Sequence, residues 1–492
     1  MRALGLLLVG AIAASMGQLT ERPLGDALAH PAIAYYTRPT SDLVAELSRH
    51  LDDGTVRLTF DEHIGYLRSV LDALHVPIES QMLVMSKTGV QGLHTGPENP
   101  RAIFFNDAVT VGYIRGAPLL EFAVHDPHQG VVLYTLDQKP QPRVQFERPQ
   151  ACLRCHQVYS TLHVPGLIAR SMFVAPDGLP LSQFGAYDAD DRTPFRRRWG
   201  GWYVTGTHGS MRHMGNAIVT SRENPEAMIS ERTLNRASLD GLFDARGYAS
   251  AHSDIAALMV FQHQVHMTNV ITRIGWEARI AASDRRLDPT RSPMRDAVNE
   301  LVDYALFVDE EPLTAAVAGS SGFAEKFSAQ GPADHRGRSL RQLDLEHRLL
   351  RYPCSYMIYS VAFRALPIEV RQAIYGRMWE ILSGRDASPK YARLAEADRR
   401  AVVEILHDTL PDLPGDFRAE SGWTPLWNGK DLDGWTTWLR QPEPIAHVFT
   451  AVRDVDGRPA IRISGEEFGE LRTTGAFKDY HLNVIPAAFV AK

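Results

Sequence analysis

Leu119-Leu120-Glu121-Phe122-Ala123-Val124 and Val131-Val132-Leu133-Tyr134-Thr135-Leu136 are two short apolar runs, joined through His125 by Asp126-Pro127-His128-Gln129-Gly130. The joining pentapeptide has turn chemistry, because Asp can bond its own backbone, Pro fixes φ and Gly tolerates positive φ. Two strands closed into a hairpin are therefore predicted. Upstream, Val109, Val111 and Tyr113 alternate, so the whole stretch from Gln81 to Phe146 reads as strands. Downstream, Ala169 to Val174, the turn Pro176-Asp177-Gly178 and Leu181 to Tyr187 predict a second hairpin. The flanks are helical. Ile64, Leu67, Leu71 and Leu74 recur at helical spacing behind Asp61 and stop at Pro77 within the helical stretch Ser41 to Val76. After residue 250 helices are predicted over Ala256 to Ile280, Met294 to Phe307, Leu340 to Leu382 with breaks at Pro353 and Pro367, and Ala395 to Leu410.

The fold class expected is therefore α+β. A strand-rich module spans residues 30–250 and a mostly helical region 251–415. Leu413-Pro414-Gly415-Asp416 is a linker, and a Trp- and Gly-rich β piece follows over 420–492. A length of 492 residues with 44% apolar and 22% charged side chains suits a globular chain that buries large cores. With 52 Lys and Arg against 58 Asp and Glu the net charge is -6, which argues against a nucleic-acid partner. Neither a Rossmann glycine loop nor a P-loop is present, so nucleotide cofactors are not expected.

Residues 1–17 carry the parts of a secretory signal peptide: Arg2, the uncharged run Ala3 to Ala14, and the small residues Ala13, Ala14 and Ser15 before Gln18. A buried first helix or an uncleaved anchor is the competing reading, but the run is short of the about 20 apolar residues a membrane span needs. No second stretch is long enough to span, so no membrane segment is expected beyond the signal, and the destination expected is the periplasm or beyond.

Cys152-Leu153-Arg154-Cys155-His156 is the decisive motif, and Cys152, Cys155 and Cys354 are the only three cysteines. Chance would place such a pentapeptide in roughly one chain in a thousand of this composition. A zinc site would need two more ligands, with His163 and Cys354 the available recruits at unusual spacing, and a thioredoxin-like pair has no use for the histidine. The segment resembles the attachment site of c-type cytochromes. There the two thiols bind haem covalently and the adjacent histidine ligates the iron, so one covalent haem c on Cys152, Cys155 and His156 is implied. The resemblance is confined to these residues and the compartment; the strand-rich surroundings are unlike the compact helical cytochromes, and a PAS-like haem module is the alternative analogy.

Six side chains are candidates for the sixth iron position. Thr205 to Asn216 is a Gly-rich loop with His208, His213 and Met214, and the predicted helix carries His263, His266 and Met267 three or four residues apart. Arg196-Arg197-Arg198-Trp199 is a candidate for holding haem propionates. Cys354 is expected to be a buried free thiol.

Trp423-Thr424-Pro425-Leu426-Trp427-Asn428-Gly429-Lys430-Asp431-Leu432-Asp433-Gly434-Trp435 carries a separate likeness. It resembles the opening of the 3-keto-disaccharide hydrolase family, a lectin-like β-sandwich. Weaker matches run through Val448-Phe449, Asp456-Gly457 and Asp479-Tyr480-His481-Leu482. Too little chain follows for such a sandwich to close, so the expectation is an incomplete domain without hydrolase activity and with no assignable catalytic residue. The function expected is periplasmic electron transfer by a monohaem cytochrome with redox proteins as partners; the C-terminal resemblance brings in a carbohydrate. The alternatives are a haem peroxidase or oxidase using His208, His213 or His263 as acid-base partner, and a haem-based redox or gas sensor or carbohydrate-binding protein.

Overall fold

Nine strands and nine helices build the main unit, Met1–Arg418, among the described residues. The computed structural model describes residues 27–411 except 222, and beyond them 413–414, 417, 426–427, 430–441, 444–455 and 458–475. The signal segment, residues 1–17, lies outside the described residues, as do Trp423 to Pro425 and Asp479 to Leu482 of the C-terminal likeness.

Strands β1 (Met82–Val84), β2 (Arg101–Phe105), β3 (Val109–Tyr113), β4 (Leu119–Asp126), β5 (Gly130–Asp137) and β6 (Phe146–Glu147) form an antiparallel meander. The predicted hairpin is β4 with β5, in register from Leu119 opposite Asp137 to Asp126 opposite Gly130. Asp126 Oδ1 closes the turn by accepting from His128 N at 2.8 Å and Gln129 N at 2.7 Å, while Gly130 takes φ +77°. β7 (Arg170–Met172) pairs with β8 (Ala186–Asp188) as the second predicted hairpin. β9 (Trp202–Tyr203) returns to pair with β1, which gives the seven-stranded order β6-β5-β4-β3-β2-β1-β9.

Alternation divides the sheet into two faces. One carries Phe104, Val111, Phe122 and Tyr134 and packs in a core cluster with α1 (Leu43–Asp52) and α2 (Leu67–Ala73), through Val44, Leu47, Leu67, Val70 and Leu71. Asp42 caps α1 by accepting from Val44 N and Ala45 N, and its other oxygen accepts from Tyr134 Oη at 2.7 Å. The opposite face carries Arg101, Glu121, Ala123 and His125. The one-turn helix α3 (Leu153–His156) and the preceding Cys152 come within electrostatic reach of Glu121 on this face, and α4 (Ile255–Ser283) packs by Ala123 and His125.

α4 is buried nearly all round, which is why its apolar residues form no single stripe. Asp254 caps it through Ala256 N and Ala257 N and also gathers Ser320 N and Ser321 N. Three contacts pin α4 to the sheet: Gln264 Nε2 donates to Asn106 O, Trp276 Nε1 donates to Gln129 O, and Thr272 packs where a side chain on Gly130 would clash. The strand block and the helices after residue 250 therefore share one unit.

The remaining helices are α5 (Met294–Ala305), α6 (Phe323–Ser328), α7 (Val361–Arg364), α8 (Ile368–Leu382) and α9 (Glu396–Thr409). The predicted helix over Leu340 to Leu382 holds only in its last part. Residues 340–355 are turns, because Asp344 Oδ1 takes Glu346 N and His347 N, Leu345 has φ +59°, and Leu343 bridges Leu350 in a tight reversal. No helix among the described residues is long and apolar enough to cross a membrane.

Among its described residues the second unit, Ala419–Lys492, has two antiparallel ribbons, β10 (Trp435–Leu439) with β13 (Gly469–Thr473) and β11 (Phe449–Val455) with β12 (Arg458–Ile463), and the short α10 (Ile445–Val448). Within it Trp438 meets Phe468 edge-on at 6.5 Å and both are exposed.

Candidate functional site

The Cys-X-X-Cys-His pentapeptide straddles a 3-10 turn, Gln150–Cys152, and α3. Leu153 is buried in the core cluster and anchors the turn; Cys152 packs partly against that core, Cys155 is exposed and both thiols are free. Burial pushes the Cys152 thiol up, with the Glu121 carboxylate adding to it.

His156 is half-buried, and its Nδ1 lies 2.9 Å from Gly166 O. A carbonyl only accepts, so Nδ1 carries the proton and Nε2 keeps its lone pair. Burial depresses the imidazole's pKa and favours its neutral form, despite the opposing pull of the Gly166 bond and of Glu121. A neutral imidazole with Nδ1–H tied to a carbonyl is the arrangement of a metal-ligating histidine.

Haem attachment asks for two thiols at this spacing and a ligand nitrogen, which Cys152, Cys155 and His156 offer. On the loop between β1 and β2, Val90 and Leu93 are 66% and 96% exposed. That loop is tied to the motif's end of the sheet, since Arg101 Nη2 donates to Thr88 O at 2.7 Å and Arg101 and Glu121 both act on His156. Arg101 Nε is buried without a hydrogen-bond partner, 3.7 Å from Glu121. The donor set of Cys152, Cys155 and His156 fits the group.

The six candidate sixth ligands lie in two other places. His208 and His213 stack edge-on at 4.6 Å beside Phe195 and Trp199, both buried. His208 Nε2 accepts from Asn235 N and His213 Nδ1 from Gly215 N, so in each neutral ring the lone pair is already engaged. Burial holds the pKa of both below the usual imidazole range. Met214 is buried, with its sulfur 3.8 Å from Ser171 Oγ. On α4, His263 donates from Nδ1 to Asp191 Oδ2 at 2.5 Å and meets Ser355 Oγ through Nε2 at 2.7 Å. Its ring lies parallel to Tyr304 and Phe307. His266 sits against Tyr304 with a buried Nε2 that has no hydrogen-bond partner, and Met267 is buried.

Asp191, His263 and Ser355 have the order of groups that activates a serine nucleophile. All three are buried, however, and Ser355 Oγ is also the acceptor that caps the following 3-10 turn through Met357 N. The trio cross-links the 191 loop, α4 and the 355 turn. Of the basic run, Arg198 is buried on Thr193 O and Asp191 O, Arg197 covers Tyr187, and Arg196 is exposed. Cys354 is buried and free, its thiol pushed up to about 12 by burial, and so is inert. Asp334, His335 and Asp408 come together at the surface as an ion-pair group in which Asp408 takes His335.

The sequence reading missed Gly166 and Asn269. Asn269 is a buried amide on α4 that bonds Leu167 through both its oxygen and its nitrogen. Pro165-Gly166 shortly after the motif, and an amide among the apolar residues of the long predicted helix, are the signals that point to them. Comparison with protein-family models, curated proteins and solved structures finds no match.

Proposed function

We propose that this chain is an exported monohaem c-type cytochrome that carries electrons between periplasmic proteins. The observation that carries the reading is His156 Nδ1 at 2.9 Å from Gly166 O beside two free thiols, which leaves Nε2 as a donor at the attachment site. Cys152 and Cys155 would hold the group and His156 would ligate its iron. Bound haem supplies a one-electron redox centre. The C-terminal likeness to keto-sugar hydrolases suggests carbohydrate oxidation as the electron source.

A second reading has one observation in its favour. His208, His213 and His263, though not His266, would each give up an existing hydrogen bond to ligate iron, and a sixth position left exchangeable for that reason would suit a peroxidase, oxidase or sensor. The pyridine haemochrome spectrum of protein made with a cytochrome c maturation system tests the first claim. A c-type band that survives denaturation and vanishes in Cys152→Ala with Cys155→Ala supports it, and its absence from matured protein refutes it. Carbon monoxide binding to the reduced protein, followed by turnover with peroxide, separates carrier from sensor and enzyme.

A further inference from the structure

Motif histidines are placed by what holds their second nitrogen. Here that group is Gly166 O, and Gly166 N returns to His156 O at 2.8 Å, so one residue holds both the main chain and the ring of His156. Gly166 is itself placed by α4. Asn269 Oδ1 accepts from Leu167 N at 3.1 Å and its Nδ2 donates to Leu167 O at 2.8 Å, a two-point pairing like that of a neighbouring strand. The approach is so close that a Cβ on Gly166 would lie 2.2 Å from Asn269 Oδ1. Asn269 is 2% exposed, and Gln264 and Trp276 on either side bind α4 to the sheet.

We propose that Asn269 is the positioning residue for His156: through Leu167 and Gly166 it fixes the imidazole of the attachment site relative to the sheet. The proposal rests on the cytochrome reading. The Gly166 bond makes Nε2 a stronger donor, and a stronger donor favours the ferric over the ferrous state. Releasing the clamp lets the Gly166 carbonyl turn away and weakens that preference. Loss of such an outer partner typically changes metal affinity by about 10- to 100-fold, and a tenfold change between the two oxidation states corresponds to about 59 mV.

The test is a redox titration of the full chain, matured with covalent haem, comparing the parent with Asn269→Ala, Asn269→Ser and Val265→Ala. Val265, buried on the same helix and lining the same small cavity as Leu167, is the control for weakened packing that removes neither hydrogen bond between Asn269 and Leu167. The expected result is a midpoint raised by the equivalent of tenfold or more in Asn269→Ala and raised less in Asn269→Ser, with Val265→Ala at the parental value. If Asn269→Ala fails to accumulate, Asn269→Ser is read by the same criterion. A parental midpoint in the Asn269 variants, or an equal rise in Val265→Ala, overturns the proposal and leaves the cytochrome reading intact. A parent that acquires no covalent haem overturns both.

Discussion

Replacing His263 by Leu separates structural from iron-binding roles at the most heavily bonded of the candidate ligands. The variant leaves the Asp191 carboxylate 4% exposed and without its imidazole partner. Burial raises the pKa of Asp191, and the neighbouring His263 imidazole together with the Arg198 guanidinium more than reverses that and holds the carboxylate below its ordinary range. Removing one partner of such a buried pair costs about 3–5 kcal/mol. The ring stacks on Tyr304 at 5.3 Å and Phe307 at 4.7 Å contribute about 0.5–1.5 kcal/mol each. Against a typical total stability of about 5–15 kcal/mol this is a large fraction. The assay is urea unfolding of matured protein, followed by circular dichroism, beside the haem absorption spectrum. His263→Leu should unfold at markedly lower urea with an unchanged spectrum. A variant of parental stability with an altered spectrum would refute the argument and make His263 an iron ligand.

Three further outcomes are expected. His125 is pushed down to about 4 by burial, from about 6.5 in the unfolded chain. Its contribution of up to about 3 kcal/mol is present above pH 6.5 and lost as pH falls through 4, so His125→Asn should flatten the urea midpoint between pH 7 and pH 4.5. Gly200→Ala would bring a Cβ to 2.8 Å from the Met172 main chain and should cost about 1–3 kcal/mol by the same unfolding assay. Trp276→Phe strands the Gln129 carbonyl, which now accepts at 3.0 Å, and should cost about 1–3 kcal/mol and raise amide exchange along α4.

The β4–β5 hairpin was legible because its turn is chemically local: Asp126 bonds the next residues and Gly130 takes the left-handed angle. α4 was legible from its length of apolar residues. β9 was not, since two residues paired with a strand far upstream leave no periodicity to read. Residues 340–355 have helical apolar spacing, yet Asp344 offers the backbone a competing turn and wins. At the site, the thiols and His156 were readable because attachment needs them adjacent. His263 was singled out for its spacing alone, while Asp191 and Ser355, which occupy both its nitrogens, come from other segments. Asn269 was invisible for the same reason: its value lies in Leu167, on the other side of a hundred residues of chain.

The pairing of β9 with β1 also sets the order in which the sheet can be completed. β1 to β6 follow one another in the chain and pair neighbour with neighbour, but the second edge of β1 stays unpaired until everything through Tyr203 is available. Closing so long a loop is slow, and an open strand edge is a template for other chains in the meantime. A fragment ending before Trp202 would thus contain the whole attachment motif and yet self-associate along Leu83 and Val84, so fragments made to isolate the motif should extend through β9.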